Sequence, residues 1–465
     1  MTINLRTLRQ FGASPSAAAL VLLLAGGCAH YAPRPIDAAG FAAEFDARKL
    51  ERPPESPGTP WSDADLLTAA LAHAPALSQA AAAYRSAEAA ARSARVPPAA
   101  AMTLTAEYSK DADAAKPWLY GVATDIPLDL GARRNQRIGA ARISALQARY
   151  DYAEVVWSVR SALRHAHVER LAADRELALA ERLVALRRDR ADKLALRLKV
   201  GEDAWPAAVT ARQDLAAAER RRDDASARRA QAEVALAKAL GVAPAAVRDL
   251  PLAPLPSSPP PPDPPILAAW RSQAALSSNG VLKALADYDL AENRLRLEVA
   301  KQYPDVHVGP GYIWERGLNK YPFDLALMLP PRDLNRAGIA EAEARRAEAG
   351  RRLEAVQAEV LSVVDQSVAG LVAAEAALRR AQDEDLPLAR GLAEAAQRGL
   401  RAGDLDRVDQ IAAEAAAVEA ELAQLDSWRQ AWTAQANLED AVRRTEDPAE
   451  VAVLKAAVDH LKEPG

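Results

Sequence analysis

A single cysteine in 465 residues excludes a disulfide framework and cysteine-based zinc sites. Six histidines leave little from which to build a metal centre. Aromatic residues make up only 5% of the chain, too few for a series of ordinary globular cores. Neither sign of charge prevails: 59 Lys and Arg stand against 63 Asp and Glu, for a net charge of −4. No basic excess exists to grip phosphates, which argues against nucleic acid as a partner. Beyond the leader no apolar run reaches the roughly 20 residues of a transmembrane helix, so a crossing of a membrane would have to be a β-barrel. There is no phosphate-binding glycine loop, nucleophile elbow, zinc signature or paired catalytic constellation. No catalytic, cofactor-binding or metal residue is therefore assigned, and the chain does not read as an enzyme. What it has in quantity is alanine: hydrophobic residues are 50% of the chain despite the scarcity of aromatics. Alanine is the best helix former and packs closely, so long helices with tight seams are expected.

Arg6 and Arg9 precede the short apolar run Ala17 to Leu24, which ends in Ala25-Gly26-Gly27-Cys28. A basic start, a short apolar core and small residues before a cut site make an export signal. The placement of the only cysteine resembles a bacterial lipoprotein signal, with residues 1–27 removed and Cys28 acylated as the first mature residue. Ala29, where Asp would retain such a protein at the inner membrane, favours the outer membrane. A plain secretory signal with a chance cysteine is the alternative.

Pro251 to Pro265 is the densest break in the chain; it cannot continue a helix and is expected to run extended. This linker, 248–265, divides the mature chain into two halves that read alike, 61–247 and 266–445, flanked by an extension at 28–60 and a tail at 446–465. Tyr84-Arg-Ser-Ala-Glu88 corresponds to Tyr288-Asp-Leu-Ala-Glu292, and Leu198-Lys-Val-Gly201 to Leu400-Arg-Ala-Gly403. Such self-similarity is an architectural signal. Each half carries a long helical stretch, 132–199 and 337–401. The first lacks proline and spans roughly 100 Å; the second has Pro387 as an expected kink. Each turns back at a glycine and returns through a shorter helix, 206–240 and 405–444. Helices of this length must pack side by side as coiled coils.

Between the helices lie two expected β-hairpins, 102–126 and 306–329. Met102, Leu104, Ala106 and Tyr108 alternate with Thr103, Thr105, Glu107 and Ser109. Trp118, Tyr120, Val122 and Ile126 oppose Gly121, Ala123 and Asp125. In the second half Val306, Val308, Tyr312 and Trp314 oppose His307, Gly309 and Glu315, while Phe323, Leu325, Leu327 and Leu329 oppose Asp324 and Ala326. Period-two alternation over eight to ten residues suits a transmembrane strand with an apolar outer and polar inner face. Tyr108, Trp118, Tyr120, Tyr312, Trp314, Tyr321 and Phe323 gather beside the interstrand loops 110–117 and 315–322, as a girdle at a membrane interface would. Hairpins packed on a soluble helical core would alternate in the same way. Four strands cannot close a barrel, so several copies must contribute, and a homotrimer would supply twelve.

These features together resemble the TolC-type outer membrane efflux family, from about Trp61 to Arg444. The resemblance is carried by Trp61-Ser-Asp-Ala-Asp-Leu66-Leu67 with Pro75-Ala-Leu77, and by the strand-to-helix exits Ile126-Pro127-Leu128 to Gly131 and Leu329-Pro330-Pro331 to Asn335. The turns Val200-Gly201 and Ala402-Gly403 belong to the same set, whose order at repeat spacing is more specific than any one motif. Asp333-Leu-Asn335-Arg-Ala-Gly338 looks most like the heavy-metal branch. The resemblance implies a mainly α protein: a trimer whose twelve-stranded barrel, set in outer membrane lipid, continues as an α-helical tunnel through the periplasm. It implies a passive exit duct of a tripartite efflux system, opened by a periplasmic adaptor and driven by a resistance-nodulation-division pump of the inner membrane. Val200, Gly201, Ala402 and Gly403 would be the adaptor-docking tips, although glycine at a helix end has a purely conformational use as well. Asp409 matches the first acidic position of the family's closing ring and Ala412 the second; Asp404 and Asp406 add charge at the same tip. Three-fold rings of carboxylates attract cations, but Asp at a helix start also caps it. In His165-Ala-His167 the side chains point about 200° apart, so they cannot share a metal, and His307 reads as a lone polar residue of the barrel interior. The competing reading is a periplasmic coiled-coil adaptor or scaffold lipoprotein, which would place a helical hairpin between two halves of a β domain.

Overall fold

The computed structural model describes residues 31–52, 60–110, 117–128, 132–260, 263–330 and 332–459. Cys28, the leader, most of the first interstrand loop and the exit residues Gly131 and Pro331 lie outside the described residues. Two units are distinguished, 1–47 and 48–465. In the first, helix α1 (Ala38–Ala47) buries no residue and sets the rings of Phe41 and Phe45 6.4 Å apart.

The second unit is mainly helical. Helix α2 (Asp63–His73) begins in a capping box of Ser62 and Asp65, and α3 (Pro75–Ser93) follows with Pro75 in its first turn, where the missing N–H is harmless. Strands β1 (Ala101–Tyr108) and β2 (Trp118–Pro127) lead to α4 (Ala132–Lys199), an unbroken helix of 68 residues, and to the return helix α5 (Trp205–Leu240). The same order then recurs. Helices α6 (Pro264–Ser277) and α7 (Asn279–Ala300) precede β3 (Asp305–Glu315), β4 (Leu318–Lys320) and β5 (Phe323–Met328). Helix α8 (Arg336–Arg380), a π-turn at Ala381–Asp385 and α9 (Leu386–Ala402) form the second rod, and α10 (Arg407–Val442) returns. Ala101 to Asp305 is the same spacing as Ala132 to Arg336.

Helix α4 is the centre of the packing, in contact with α2, α3, α5, α7 and α10. Tyr152, Val156, Val159 and Leu163 bury against Leu66, Leu67, Leu236 and Leu240. Against its lower part α5 presents Ala211, Ala218, Ala225 and Ala232, one buried alanine every seven residues, the close seam that the composition suggests. The second rod buries a sparser stripe, Val364, Leu371 and Leu378. The next heptad step would put Asp385 on that seam. The π-turn adds a residue and brings Leu386, Ala393 and Leu400 to the half-buried side instead, leaving Asp385 exposed. The irregularity at Pro387 is thus a change of register just before the proline rather than a simple proline kink.

Three further details depart from the sequence-based expectations. The tail at 446–465 contains a helix, α11 (Pro448–Asp459), whose Glu450 is buried and whose Ala457 carbonyl accepts from Tyr152 Oη at 3.2 Å. The second interstrand connection is not a loop over 315–322: Arg316 and Gly317 turn at positive φ, and β4 pairs back onto β3. Lastly, helix Arg336–Ala402 does contain an 18-residue stretch apolar enough for a bilayer, with 11% of it buried.

Candidate functional site

The strands form one sheet, β1-β2-β3, with β4 and β5 both paired to β3. The register decides which side chains share a face. Tyr108 pairs with Trp118, Leu104 with Val122, Tyr120 with Trp314, Val122 with Tyr312, Val308 with Leu325 and Val306 with Leu327. Every apolar set of the four runs therefore falls on the same side, because a shift by one residue in any strand would have turned its set over. The opposite side carries Thr103, Thr105, Glu107, Asp125, His307 and Asp324. There the His307 ring Nδ1 lies 2.9 Å from Asp125 Oδ1, joining β3 to β2.

Among the described residues nothing covers the apolar side. Leu104 is 72% exposed and Phe323 70%, and Met102, Leu325 and Leu327 are exposed as well. The aromatic residues form a ladder at the loop end. Tyr108 meets Trp118 edge-on at 5.0 Å, Trp118 stacks on Tyr120 at 5.7 Å, Tyr120 on Trp314 at 5.9 Å, and Tyr312 lies 5.6 Å from Tyr321. Phe323 sits at the start of β5 on the same side, opposite Pro310. The two cross-strand pairs, Tyr108–Trp118 and Tyr120–Trp314, stabilise the register by about 0.5–1.5 kcal/mol each. The backbone edges of β1 and β5 have no neighbour among the described residues. A wide, uncovered apolar face with open edges is unstable in water.

At the other candidate site, the two turns lie side by side. Gly201 and Gly403 adopt φ of +78° and +84°, and a Cβ on either would meet nothing within 4 Å; glycine is there for its backbone freedom. Val200, Ala402, Asp404 and Asp409 are exposed. Asp406 differs from its two neighbours. It caps α10, accepting from Asp409 N–H at 2.8 Å, and accepts from Arg197 Nη1 at 2.7 Å across the two turns. Burial pushes its carboxyl up, but the Asp409 N–H and the Arg197 guanidinium outweigh it and hold it below the usual carboxylate range. Arg197 also lies 3.7 Å from Asp203, and Arg407 3.6 Å from Asp189.

Arg197 was not singled out from the sequence; its signal was a cation in the last turn of a helix opposite an acidic helix start. The buried ionic groups of α4 were missed too. Arg160 lies between Glu439 and Glu450, all three buried, and burial pushes the Glu439 carboxyl up. His165 and His167 do face different partners: His165 Nε2 is 3.5 Å from Asp440, while His167 lies 2.6 Å from Asp63 and 3.1 Å from the Ala253 carbonyl. Burial would raise the Asp63 carboxyl, but His167 and Arg164 lower it to about 2. Among the described residues no three His, Cys, Asp or Glu side chains are grouped to hold a metal ion.

The model of the outer membrane efflux protein family matches residues 66–242. No curated protein sequence matches the chain significantly. Among solved structures, the outer-membrane channel OprN shares the fold with a TM-score of 0.69 at 17% identity, over 90% of this chain and 98% of its own. The outer membrane protein VceC of Vibrio cholerae gives 0.65 at 18%, over 81% and 95%. The MtrE outer membrane channel of Neisseria gonorrhoeae, in its open state, gives 0.66 at 18%, over 82% and 88%. The chain thus resembles the TolC-type outer membrane efflux proteins both in sequence over 66–242 and in fold over most of its length. The matching family is one of efflux proteins, not of enzymes.

Proposed function

We propose that the chain is one protomer of an outer membrane exit duct. The observation that carries this reading is the sheet: one register puts the alternating apolar sets of all four runs on one uncovered side, and both edges are open among the described residues. Three copies would pair edge to edge into twelve strands, with the apolar side toward lipid and Thr103, Asp125 and His307 toward the interior. The two halves are read as a duplicated unit, each walling the tunnel with a rod and its return helix. The conduit is passive, opened by a periplasmic adaptor at Val200-Gly201 and Ala402-Gly403 and driven by a resistance-nodulation-division pump. Cys28 would anchor the chain by its acyl group. Asp404 and Asp409 would ring the narrow end, and Asp406 would hold the two turns together through Arg197 until the adaptor docks. Heavy-metal cations are the candidate cargo, and their selection would rest on rings of charge from several copies rather than on a coordination site in one chain.

The test is single-channel conductance in planar bilayers, for the native protein and for Asp404→Asn, Asp406→Asn and Asp409→Asn. The expected result is a stable cation-selective conductance, raised most by Asp406→Asn because it also releases Arg197. A protein extractable without detergent that never conducts would overturn the duct and favour the helical scaffold.

A further inference from the structure

The proline-rich segment does more than run extended. Proline removes N–H donors but keeps carbonyl acceptors, so such a segment must be satisfied from outside itself. Here the helices and the bridge residue Trp61 do this one carbonyl at a time. Pro251 O accepts from Trp61 N–H at 2.7 Å, and Ala253 O faces His167 at 3.1 Å. Pro256 O accepts the indole N–H of both Trp428 and Trp432, at 2.9 and 3.2 Å. Leu255 packs onto the cluster formed by Val168, Leu378, Trp428 and Trp432. The last bond of the series runs from Gln382 Nε2 to Ser257 O at 2.9 Å.

Gln382 is the second residue of the π-turn in the second rod. A π-turn lengthens the hydrogen-bond ring locally, and Pro387 a few residues on supplies no N–H. The packing changes at this level. Before the turn Leu371 and Leu378 are buried in clusters shared with α6 and α10 or with α4 and α10. Beyond it the clusters Leu183, Val184, Ala218 and Val418, and Ala191, Leu194, Ala211 and Val408, draw on α4, α5 and α10. Among the described residues α9 buries only Ala396, while Leu388 is 73% and Leu392 59% exposed. An exposed pair, Arg390 with Glu421 at 3.0 Å, joins α9 to α10.

We propose that segment 251–257 is a latch that pins the π-turn to the helical body through Gln382, and that α9 is a hinged arm that swings on α10 while α4 and α5 keep their packing. The latch does not depend on the duct reading, since it concerns the motion of one chain.

Hydrogen exchange followed by mass spectrometry on the full-length protein in detergent tests it. In Gln382→Leu the amides of 383–400 should exchange about fivefold faster, while peptides of α4 and of residues 360–378 keep their native rates. Gln382→Lys restores a donor and should return 383–400 to the native rate. The latch is refuted by native exchange of 383–400 in Gln382→Leu, by equal acceleration of α4, or by Gln382→Lys exchanging as fast as Gln382→Leu. Conductance plays no part in the readout, so loss of the duct reading and loss of the latch are separate results.

Discussion

Helix α4 and the rod made of α8, the π-turn and α9 are both rich in Ala, Arg, Glu and Leu and nearly equal in length, yet they occupy opposite kinds of position. Helix α4 has neighbours nearly all round and buries Tyr152, Val156, Leu163, Leu183 and Leu194 along its course. The second rod is packed along a narrow stripe, and α9 buries only Ala396. A register change in α4 would rotate half of its buried residues by about 100° out of their seams. On a helix packed on one side, the same change merely realigns one stripe. The π-turn and the proline are therefore tolerated where packing is thin, and the bending of such a wall is concentrated there.

The contrast can be broken or sharpened by substitution, the largest effect first. Arg160→Met leaves Glu439 and Glu450 buried without their cation and should cost about 3–5 kcal/mol, read from melting in detergent. The exposed pair Arg345–Glu341 on the second rod should lose less than about 0.5 kcal/mol when Arg345 becomes Ala. Similar losses at the two sites would erase the distinction between the rods. Leu371→Ala, on the one buried stripe of α8, should cost about 3 kcal/mol. Asp63 supplies a pH-dependent test on the α4 side. Its carboxyl lies at about 2 against an ordinary 3.8, so its stabilisation is complete above pH 4 and is lost as pH falls toward 2. Asp63→Asn should therefore cost about 2 kcal/mol at pH 7 and show a flatter acid dependence between pH 4 and 2. An unchanged acid limb would show that the His167 and Arg164 contacts do not hold Asp63 charged. Leu388→Ala, last, should shift melting by less than about 0.5 kcal/mol. A loss near 2 kcal/mol would mean that a neighbouring copy covers α9.

The strands were legible because alternation is local: Met102 to Tyr108 and Phe323 to Leu327 state their two faces in the order of their residues. The rods were legible because helix formation needs only uninterrupted formers, and the absence of proline from 132 to 199 is visible without a fold. The acidic tip was legible as composition but not as chemistry. Asp404, Asp406 and Asp409 look alike in sequence, and only the helix cap and the approach of Arg197 from the other turn separate Asp406 from two exposed carboxylates.

Local physics, propensity and period, thus determined the helices, the strands and the two glycine turns of this protein. Tertiary structure decided which rod became the centre, that β2 pairs with β3 so that two hairpins make one sheet, and that a proline-rich segment is bonded along its carbonyls. Each of these draws on residues far apart in the chain, such as Trp61 with Pro251 and Tyr120 with Trp314, whose meeting no window of sequence records.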